Sequence, residues 1–473
     1  MTESGVTTTA HDLPSGWTWT TLGEISDKPQ YGWTTKANPE GGTVKLLRTT
    51  DITSGSLDWS SVPHCSENPD DLAKYLVQPG DIVISRAGSV GFSFLLSHVE
   101  KAVFASYLIR FRVRPSINKK YIAYYLKSPS YWRAIGASQA GIAVPNVNAK
   151  KLERIQIPLA PPPQQKRIVA EIEKQFSRLD EAVASLKRTK VNLKRYKAAV
   201  LKAAVEGKLT EDWRKQHMDV EPASRILERI LADRHAKWIG KKKFVEPVMP
   251  ATSSLPNLQS SWAYASVEQL GIIGEQVVLT GPFGTSLGRE DFRESGVPLL
   301  TISCLKETGI DLAKAEYVSK EKAKELGRYR LRNGDLLFSR MAAVGRAGIA
   351  GDSLRDALFN YHIMRLRLEP TVLMAKYYLA YVRGSSQVED YIREVNHGAT
   401  RDGINTKQLL SMPVALPPFA EQQEITAEVE RRLSVVEELE ATVEANLTRV
   451  DRLRQATLQK AFSGKLLLNG ART

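Results

Sequence analysis

The sequence predicts an α+β protein with a pseudo-twofold internal repeat, in which a mixed α/β globular region and a long helix each occur twice. The segment 159–209 aligns without a gap onto the segment 416–466, with about 17 identities in the 51 paired positions. Both segments carry apolar residues at spacings of 3, 4 and 7, which is the helical pattern. Elsewhere, short stretches alternate apolar and basic residues as β-strands do. A duplication of this length predicts two similar working surfaces.

Both repeated segments carry helix start and stop signals. The first follows prolines at 161–163, the second follows prolines at 417–418, and each stops at a glycine. An uninterrupted run of about 40 residues with this period is typical of a coiled coil, roughly 60 Å long. The alternative is a long helix packed on its own globular domain. The apolar residues predicted to pack between the helices are Ile172, Phe176, Leu179, Val183, Leu186, Val429, Leu433, Val436, Val443 and Leu447.

The two helices differ in charge. Residues 164–204 contain 11 Lys or Arg and 4 Asp or Glu, whereas the aligned residues 421–461 contain 6 and 9. The net charges are therefore +7 and −3. Because flanking charges select coiled-coil partners, we expect these two helices to pair with each other.

The globular regions repeat more weakly. The motif at 80–86 (GDIVISR) matches that at 334–340 (GDLLFSR), and residues 102–115 match residues 357–370. Both pairs predict strands. The segment between the copies has no counterpart; its apolar spacing predicts one short helix followed by an extended linker, and its lysines 241–243 are expected to be solvated. The predicted segments are a first globular domain at 1–158, a central helix at 159–209, a short helix and linker at 210–255, a second globular domain at 256–415 and a C-terminal helix at 416–473.

The composition favours a polyanionic partner. The 473 residues carry a net charge of +14 at pH 7, with a pI near 9.5. Such a balance is common in nucleic-acid-binding proteins, although many basic proteins bind none. Cys65 and Cys304 lie far apart, which predicts a reducing compartment, no disulfide framework and no metal site. Without a signal-peptide pattern or an apolar run near 18 residues, we expect a cytoplasmic protein with no membrane contact.

The motifs of common active sites are missing from the sequence. It contains no G-x-S-x-G elbow, no G-x-x-x-x-G-K-[ST] phosphate loop and no N-P-P-Y/F methyltransferase motif. We therefore expect no catalytic residues in this chain.

Matching loops of the two globular regions are instead rich in residues that bind DNA. Residues 31–36 parallel 280–286, residues 85–91 parallel 339–346, and residues 141–148 parallel 398–405. Ser, Thr and Lys suit phosphate oxygens, and Arg or Asn can pair with base edges. The alternative is ordinary hairpin loops, with the arginines at 86 and 340 in buried ion pairs. The candidate DNA-binding residues are Thr34, Thr35, Lys36, Arg48, Arg86, Ser89, Asn146, Asn148, Thr285, Ser286, Arg289, Arg340, Arg346, Arg401 and Asn405.

These motifs together resemble the DNA specificity subunits of type I restriction-modification systems. The resemblance covers nearly the whole chain: LP-x-G-W at 13–17, the two GD strand motifs, the proline–glutamine helix starts, and A-V-L-x-x-A-x-x-G-K-L-T-x-x-W-R at 199–214. The second copy lacks the T-x-x-W-R tail, and the start of its globular domain matches the LP-x-G-W motif less closely.

The resemblance implies two target recognition domains, each reading half of a bipartite sequence on double-stranded DNA, separated by two long antiparallel helices. It implies that the helices set the spacing and dock two methyltransferase (modification) subunits, which use S-adenosylmethionine to methylate adenine N6. Restriction subunits, an ATP-dependent translocase and endonuclease requiring Mg²⁺, complete the complex. Two other interpretations remain open: a fused restriction-modification enzyme, and an adaptor that binds nucleic acid non-specifically.

Overall fold

The computed structural model describes residues 13–139, 146–237, 244–307, 309–341, 344–396 and 403–467, without the side chains of residues 139 and 285. The predictions for Arg401, for the lysines at 241–243 and for most of the loop 141–148 lie outside these residues. The chain divides into two compact units. Unit 1 is Met1–Arg188 with Val443–Thr473, and unit 2 is Thr189–Thr442.

The first globular domain contains three sheets. One is antiparallel with the strand order β2-β9-β6-β7, one has the order β3-β5-β4-β8 with β4 and β8 parallel, and β1 pairs with β10. The strands are β1 Thr18–Thr21, β2 Gln30–Tyr31, β3 Ala37–Asn38, β4 Lys45–Leu47, β5 His64–Cys65, β6 Asp81–Ser85, β7 Ser93–Leu95, β8 Ala102–Phe104, β9 Leu108–Arg112 and β10 Gln156–Leu159. The helices are α1 Thr49–Ile52, α2 Leu72–Tyr75, α3 Lys119–Tyr125, α4 Pro129–Gln139 and α5 Ala149–Glu153.

A long helix and two short ones follow: α6 Pro162–Val205, α7 Glu211–Gln216 and α8 Ala223–Ala236. The sequence predicted one short helix in this segment, and the structure has two. The additional helix α7 lies in the T-x-x-W-R tail, which is too short to show apolar periodicity. Helix α8 buries Ala223 and Leu227 in the core of unit 2.

The second globular domain repeats the three sheets of the first, as β12-β21-β18-β19, β13-β17-β14-β20 and β11-β22, and adds the hairpin β15-β16. The predicted duplication is therefore confirmed. The strands are β11 Ala263–Ser266, β12 Val278–Thr280, β13 Phe292–Arg293, β14 Val297–Leu300, β15 Leu305–Lys306, β16 Gly309–Ile310, β17 Glu316–Val318, β18 Leu336–Ser339, β19 Ala347–Ile349, β20 Leu358–Phe359, β21 Ile363–Leu366 and β22 Pro413–Leu416. The helices are α9 Lys320–Glu325, α10 Ala375–Gly384, α11 Ser386–Asn396, α12 Thr406–Ser411 and the long α13 Phe419–Phe462.

The two long helices end in the same motif. Each has 44 residues. Gly207 and Gly464 follow them with φ of 72° and 73°, a left-handed conformation that favours glycine. The amide of Lys208 donates to Ala203 O at 2.8 Å, and that of Lys465 to Lys460 O at 2.9 Å. These are Schellman caps, so the glycine stop signals in the sequence are confirmed.

Each end of a long helix packs on a globular domain. In unit 1, Ile168 and Ile172 of α6 share the domain core with Leu458 and Phe462 of α13. In unit 2, the core includes Val200, Leu201, Ala204 and Val205 of α6 and two residues near the start of α13, Ile425 and Val429. The alternative, a long helix packed on its own globular domain, is therefore correct for the start of each helix, whereas the end of each helix packs on the other globular domain.

The central parts of the helices keep the seven-residue pattern. Of the residues predicted to pack there, Ile172, Val429, Val436 and Val443 are buried, and Phe176, Leu179, Val183, Leu186, Leu433 and Leu447 are half-buried.

Polar contacts in unit 1 fix the direction of the helices. The Thr457 hydroxyl donates to Gln175 Oε1 at 3.0 Å, and Arg454 pairs with Asp180. Residue numbers rise along α6 as they fall along α13, so the helices are antiparallel in this unit. In this ion pair, the aspartate belongs to α6, which has the positive net charge, and the arginine belongs to α13, which has the negative net charge. The pairing of helices by net charge therefore stays a prediction.

The aspartate of each GD motif is buried in an ion pair. Asp81 Oδ1 lies 3.0 Å from Arg112 Nε, and Asp335 Oδ1 lies 2.7 Å from Arg367 Nε. Arg112 is the last residue of β9, and Arg367 directly follows β21. Within the described residues, Arg86 and Arg340 form no ion pair, so the alternative that placed them in buried pairs was wrong. Arg112 takes this role because it lies opposite Asp81 in the ladder, and Arg367 because it lies beside Asp335 just beyond the matching strands.

Candidate DNA interface

Three loops meet in the first globular domain, and we call residues 31–36, 85–91 and 146–148 the first loop cluster. The amide of Val147 donates to Arg86 O at 3.0 Å. The Tyr31 hydroxyl accepts from the amide of Ala149 at 2.9 Å. The Arg86 guanidinium lies 5.0 Å from the centre of the Tyr31 ring, which holds it by a cation–π contact. The first two loops predicted from the sequence are therefore in contact with each other and with the described end of the third.

The second globular domain builds the same cluster from residues 280–286, 339–341, 344–346 and 403–405, which we call the second loop cluster. The amide of Ile404 donates to Arg340 O at 2.8 Å, matching the bond between Val147 and Arg86. Thr280 takes the place of Tyr31, and its hydroxyl lies 3.2 Å from that of Thr406. The two clusters share one backbone frame and differ in side chains.

A groove of about 410 Å³ opens beside Thr280. Its lining includes three predicted residues, one from each loop: Ser286, Arg340 and Asn405. Other lining residues, such as Gln276, Arg328 and Tyr329, gave no signal in the sequence because they lie outside the repeated loops. The groove offers cationic, hydrogen-bonding and aromatic groups within one surface, which suits a nucleic acid.

Glycine is required at one matching position of each cluster. A Cβ on Gly32 would lie 2.2 Å from Ala105 O, and a Cβ on Gly281 would lie 2.3 Å from Asn360 O. Neither distance is compatible with a side chain. The first loop of each cluster is therefore seated directly on the backbone that precedes β9 or β21.

The arginines at 86 and 340 are half-buried, and their Nε atoms have no hydrogen-bond partner within the described residues. His362 is next to Arg340: the backbone carbonyl of His362 accepts a hydrogen bond from the amide of Arg340 at 3.0 Å. Burial and, second, the charge of Arg340 lower the pKa of His362. A neutral imidazole and an arginine whose donors are not all used within the described residues could form hydrogen bonds with polar groups of DNA.

Several predicted residues already have intramolecular roles. The side chains of Asn148 and Asn405 accept the amides of Lys151 and Gln408, each at 2.9 Å, and so cap helices. Arg48 donates to Asp51 at 2.8 Å. These contacts do not test a role in DNA binding, which stays a prediction.

The remaining candidates lie on the clusters or next to them. Thr35 is half-buried, and its hydroxyl accepts from the amide of Glu67 at 3.2 Å. Thr285 lies in a short turn, Gly284–Ser286. The exposed candidates are Thr34, Lys36, Ser89, Asn146, Ser286, Arg289 and Arg346.

Aromatic residues of the clusters were missed in the sequence. Tyr107 and Phe283 are each 61 % exposed, and Tyr361 is 40 % exposed. The Tyr107 carbonyl accepts from the amide of Arg86 at 2.9 Å, which places this tyrosine at the first cluster. An aromatic residue in a strand-rich segment is ordinarily assigned to the core, so only the structure reveals its exposure.

A duplicated α+β frame carries two matching loop clusters whose residue types suit the binding of DNA. The family model for the type I restriction modification DNA specificity domain matches residues 14–195 and 284–449, most of the chain. The chain belongs to this family, as its motifs suggested.

Curated relatives agree over nearly the full length. The chain is 26 % identical over 475 residues to the type I restriction enzyme EcoKI specificity subunit of Escherichia coli (strain K12), covering 97 % of this chain and 90 % of that one. It is 25 % identical over 427 residues to the EcoBI specificity subunit of Escherichia coli, covering 89 % and 80 %. For the StySPI specificity subunit of Salmonella potsdam, the identity is 26 % and the coverage is 89 % and 82 %.

Solved structures share the fold. A chain solved in a study of complex assembly and conformational transition of the type I R-M system superposes with a TM-score of 0.64 at 18 % identity, covering 96 % of this chain and 100 % of that one. The HsdS subunit from Thermoanaerobacter tengcongensis superposes with a TM-score of 0.50 at 17 % identity, covering 97 % and 99 %.

The described part of the chain holds no group of three or more His, Cys, Asp or Glu residues placed to bind a metal ion. Among its helices, none combines the length and apolar character needed to cross a membrane. Cys65 and Cys304 are buried free thiols.

Proposed function

We propose that this chain is the DNA-reading subunit of a type I restriction-modification complex, in which each loop cluster reads one half of a bipartite target on double-stranded DNA. The observation that carries the proposal is the construction of one three-loop cluster twice on matching backbone frames. Two domains that recognise different DNA sequences need the same backbone frame with different side chains, and the two clusters have this property. The net charge of +14 supports binding to the DNA backbone.

The long helices α6 and α13 are proposed to set the spacer between the half-sites and to dock two modification subunits. Two readers on one duplex must meet it in helical phase, so the length of a stiff element becomes part of the specificity. Catalysis is assigned to the partners: S-adenosylmethionine-dependent adenine methylation to the modification subunits, and ATP- and Mg²⁺-dependent translocation and cleavage to the restriction subunits. This chain would bind none of these cofactors and would work in the cytoplasm.

Co-expression with a modification subunit, followed by sequencing of methylated DNA, tests the proposal. We expect methylated adenines within a motif of two defined parts separated by a spacer of fixed length. A continuous motif, or methylation without sequence preference, would contradict it. The purified chain alone should transfer no methyl group, because every proposed catalytic residue lies on a partner.

The two clusters can be separated by matched variants. Because Arg86 and Arg340 occupy equivalent positions, R86A should relax recognition of one half-site and R340A that of the other. A lost arginine contact to a base lowers discrimination at that position by about 1–3 kcal/mol. The measurement is the methylation motif of each variant complex. If both variants relaxed the same half, the assignment of one cluster to each half would be wrong.

A further inference from the structure

We propose that Phe283 of the second loop cluster reads a thymine, by packing its ring against the thymine 5-methyl group in the major groove. This inference rests on the proposed function and assigns one specificity-determining residue within it.

Phe283 is an exposed residue of the first loop in the second loop cluster. Its side chain is 61 % accessible to solvent, which is unusual for phenylalanine and costs free energy unless a partner covers the ring. Pro282 precedes it, and Gly284 follows with φ of 67°, so the backbone turns sharply at this point.

The base of this loop is fixed to the domain. The amide of Gly281 donates to Ile363 O at 3.2 Å, and the space for a Cβ on Gly281 is filled by the carbonyl of Asn360. The loop that carries the ring is therefore held at its base, two residues before Phe283, by contacts with the backbone before β21 and at its start. Such preorganisation lowers the entropy lost when a contact forms.

The surroundings of Phe283 select the kind of partner. It lines the groove with two arginines, Arg328 and Arg340, and with the polar side chains of Gln276 and Asn405. An apolar ring beside cationic groups fits an anionic partner that carries a small apolar group. On the edges of double-stranded DNA, that group is the 5-methyl of thymine, which lies in the major groove.

The first cluster has Thr34 where the second has Phe283, two residues after the matching glycines Gly32 and Gly281. Its exposed aromatic residues Tyr31 and Tyr107 lie at other positions: the Tyr31 ring lies under Arg86, and Tyr107 belongs to another loop. The apolar contact of Phe283 is thus specific to the half-site read by the second domain.

The test uses the complex with its modification subunits, and the target found by methylation sequencing. The half-site of the second domain is the one relaxed by R340A. Each thymine in it is replaced in turn by deoxyuridine, which lacks only the methyl group, and binding is measured. We expect one replacement to weaken binding about four-fold, the effect of one buried methyl. In F283A, binding should be weaker and that same replacement should have no further effect, whereas F283L should keep most of the sensitivity.

Several results would overturn the inference. They are a half-site without thymine on either strand, undiminished sensitivity to deoxyuridine in F283A, or an equal effect of F283A on deoxyuridine replacements in the other half-site. A rise in 2-aminopurine fluorescence next to the contact would also overturn it, because it would show a ring inserted between bases. Failure of the proposed function would look different: no bipartite motif would be found at all.

Discussion

At the scale of single residues, one position of the repeat holds a neutral glutamine, Gln164, in the first copy and a glutamate, Glu421, in the second. Gln164 Oε1 accepts from Trp17 Nε1 at 2.8 Å, and at the matching position Glu421 Oε2 accepts from Trp262 Nε1 at 2.8 Å. Glu421 is fully buried and also binds the Thr210 hydroxyl, at 2.7 Å, and Arg214. A buried carboxylate needs a positive partner, and the T-x-x-W-R tail provides it. Unit 1, to which the T-x-x-W-R tail does not belong, has the neutral glutamine at this position.

Removing Arg214 should therefore destabilise unit 2. We expect R214A to lower the free energy of unfolding by about 3 kcal/mol, since it leaves a buried charge without a partner. The double variant with E421Q should recover most of the loss, because glutamine fills the same position in unit 1. Urea unfolding followed by tryptophan fluorescence measures both. If E421Q gave no recovery, the packing of the arginine side chain, rather than its charge, would be the cause.

At the scale of elements, the long helix α13 carries a local charge cluster. Glu428 accepts from Arg431 Nε at 2.8 Å and from Arg432 Nε at 2.5 Å, three and four residues further along. These hydrogen bonds, that of Arg431 first, hold the pKa of Glu428 at about 2. At the matching position in α6, Glu171 has the weaker partners Lys174 at 3.9 Å and Gln175 at 3.0 Å.

This difference predicts a pH-dependent contribution to stability. Because the pKa of Glu428 is lowered on folding, its contribution is complete above the unfolded value of 4.5 and is lost as the pH falls towards 2. E428Q should cost up to about 2 kcal/mol at pH 7, after allowance for solvent screening, and almost nothing near pH 2. E171Q is the matched control and should cost less. Denaturant unfolding between pH 2 and 7 checks both; a constant cost of E428Q across that range would contradict the assignment.

Helix length can be tested as a determinant of the spacer. Insertion of seven residues at matching points of α6 and α13 keeps the seven-residue apolar pattern and adds about 10 Å to each. At 3.4 Å per base pair, we expect the spacer of the methylated motif to grow by about three base pairs, or activity to be lost. A fully active variant with an unchanged spacer would refute the role of the helices.

At the scale of the whole molecule, each unit is assembled from distant parts of the sequence. Phe462 follows the second globular domain in the chain, yet its ring packs in unit 1, 5.1 Å from the ring centres of both Tyr121 and Tyr125. Its counterpart in the repeat, Val205, follows the first globular domain and packs in the core of unit 2.

Core variants at these two positions should act on opposite units. F462A should destabilise unit 1 by about 3–5 kcal/mol and weaken recognition of the half-site read by the first domain. V205A, with a smaller side chain removed, should destabilise unit 2 by a smaller amount and affect the other half-site. Hydrogen exchange resolved by peptide measures both effects. Loss of protection in unit 2 for F462A would contradict this assembly.

The sequence alone determined the repeat, the two long helices with their glycine caps, the three loops of each cluster and the family. These features are local, or are copied at a fixed offset, so spacing and motif reveal them. The pairing of helix ends with domains, the aspartate–arginine pairs, the burial of Glu421 beside Arg214 and the exposure of Phe283 required the tertiary structure. The contacts among these join residues from 31 positions apart, as for Asp81 and Arg112, to 341 positions apart, as for Tyr121 and Phe462. At such separations, the same sequence pattern is compatible with more than one partner. Burial and distance, rather than residue type, decide which partner is used.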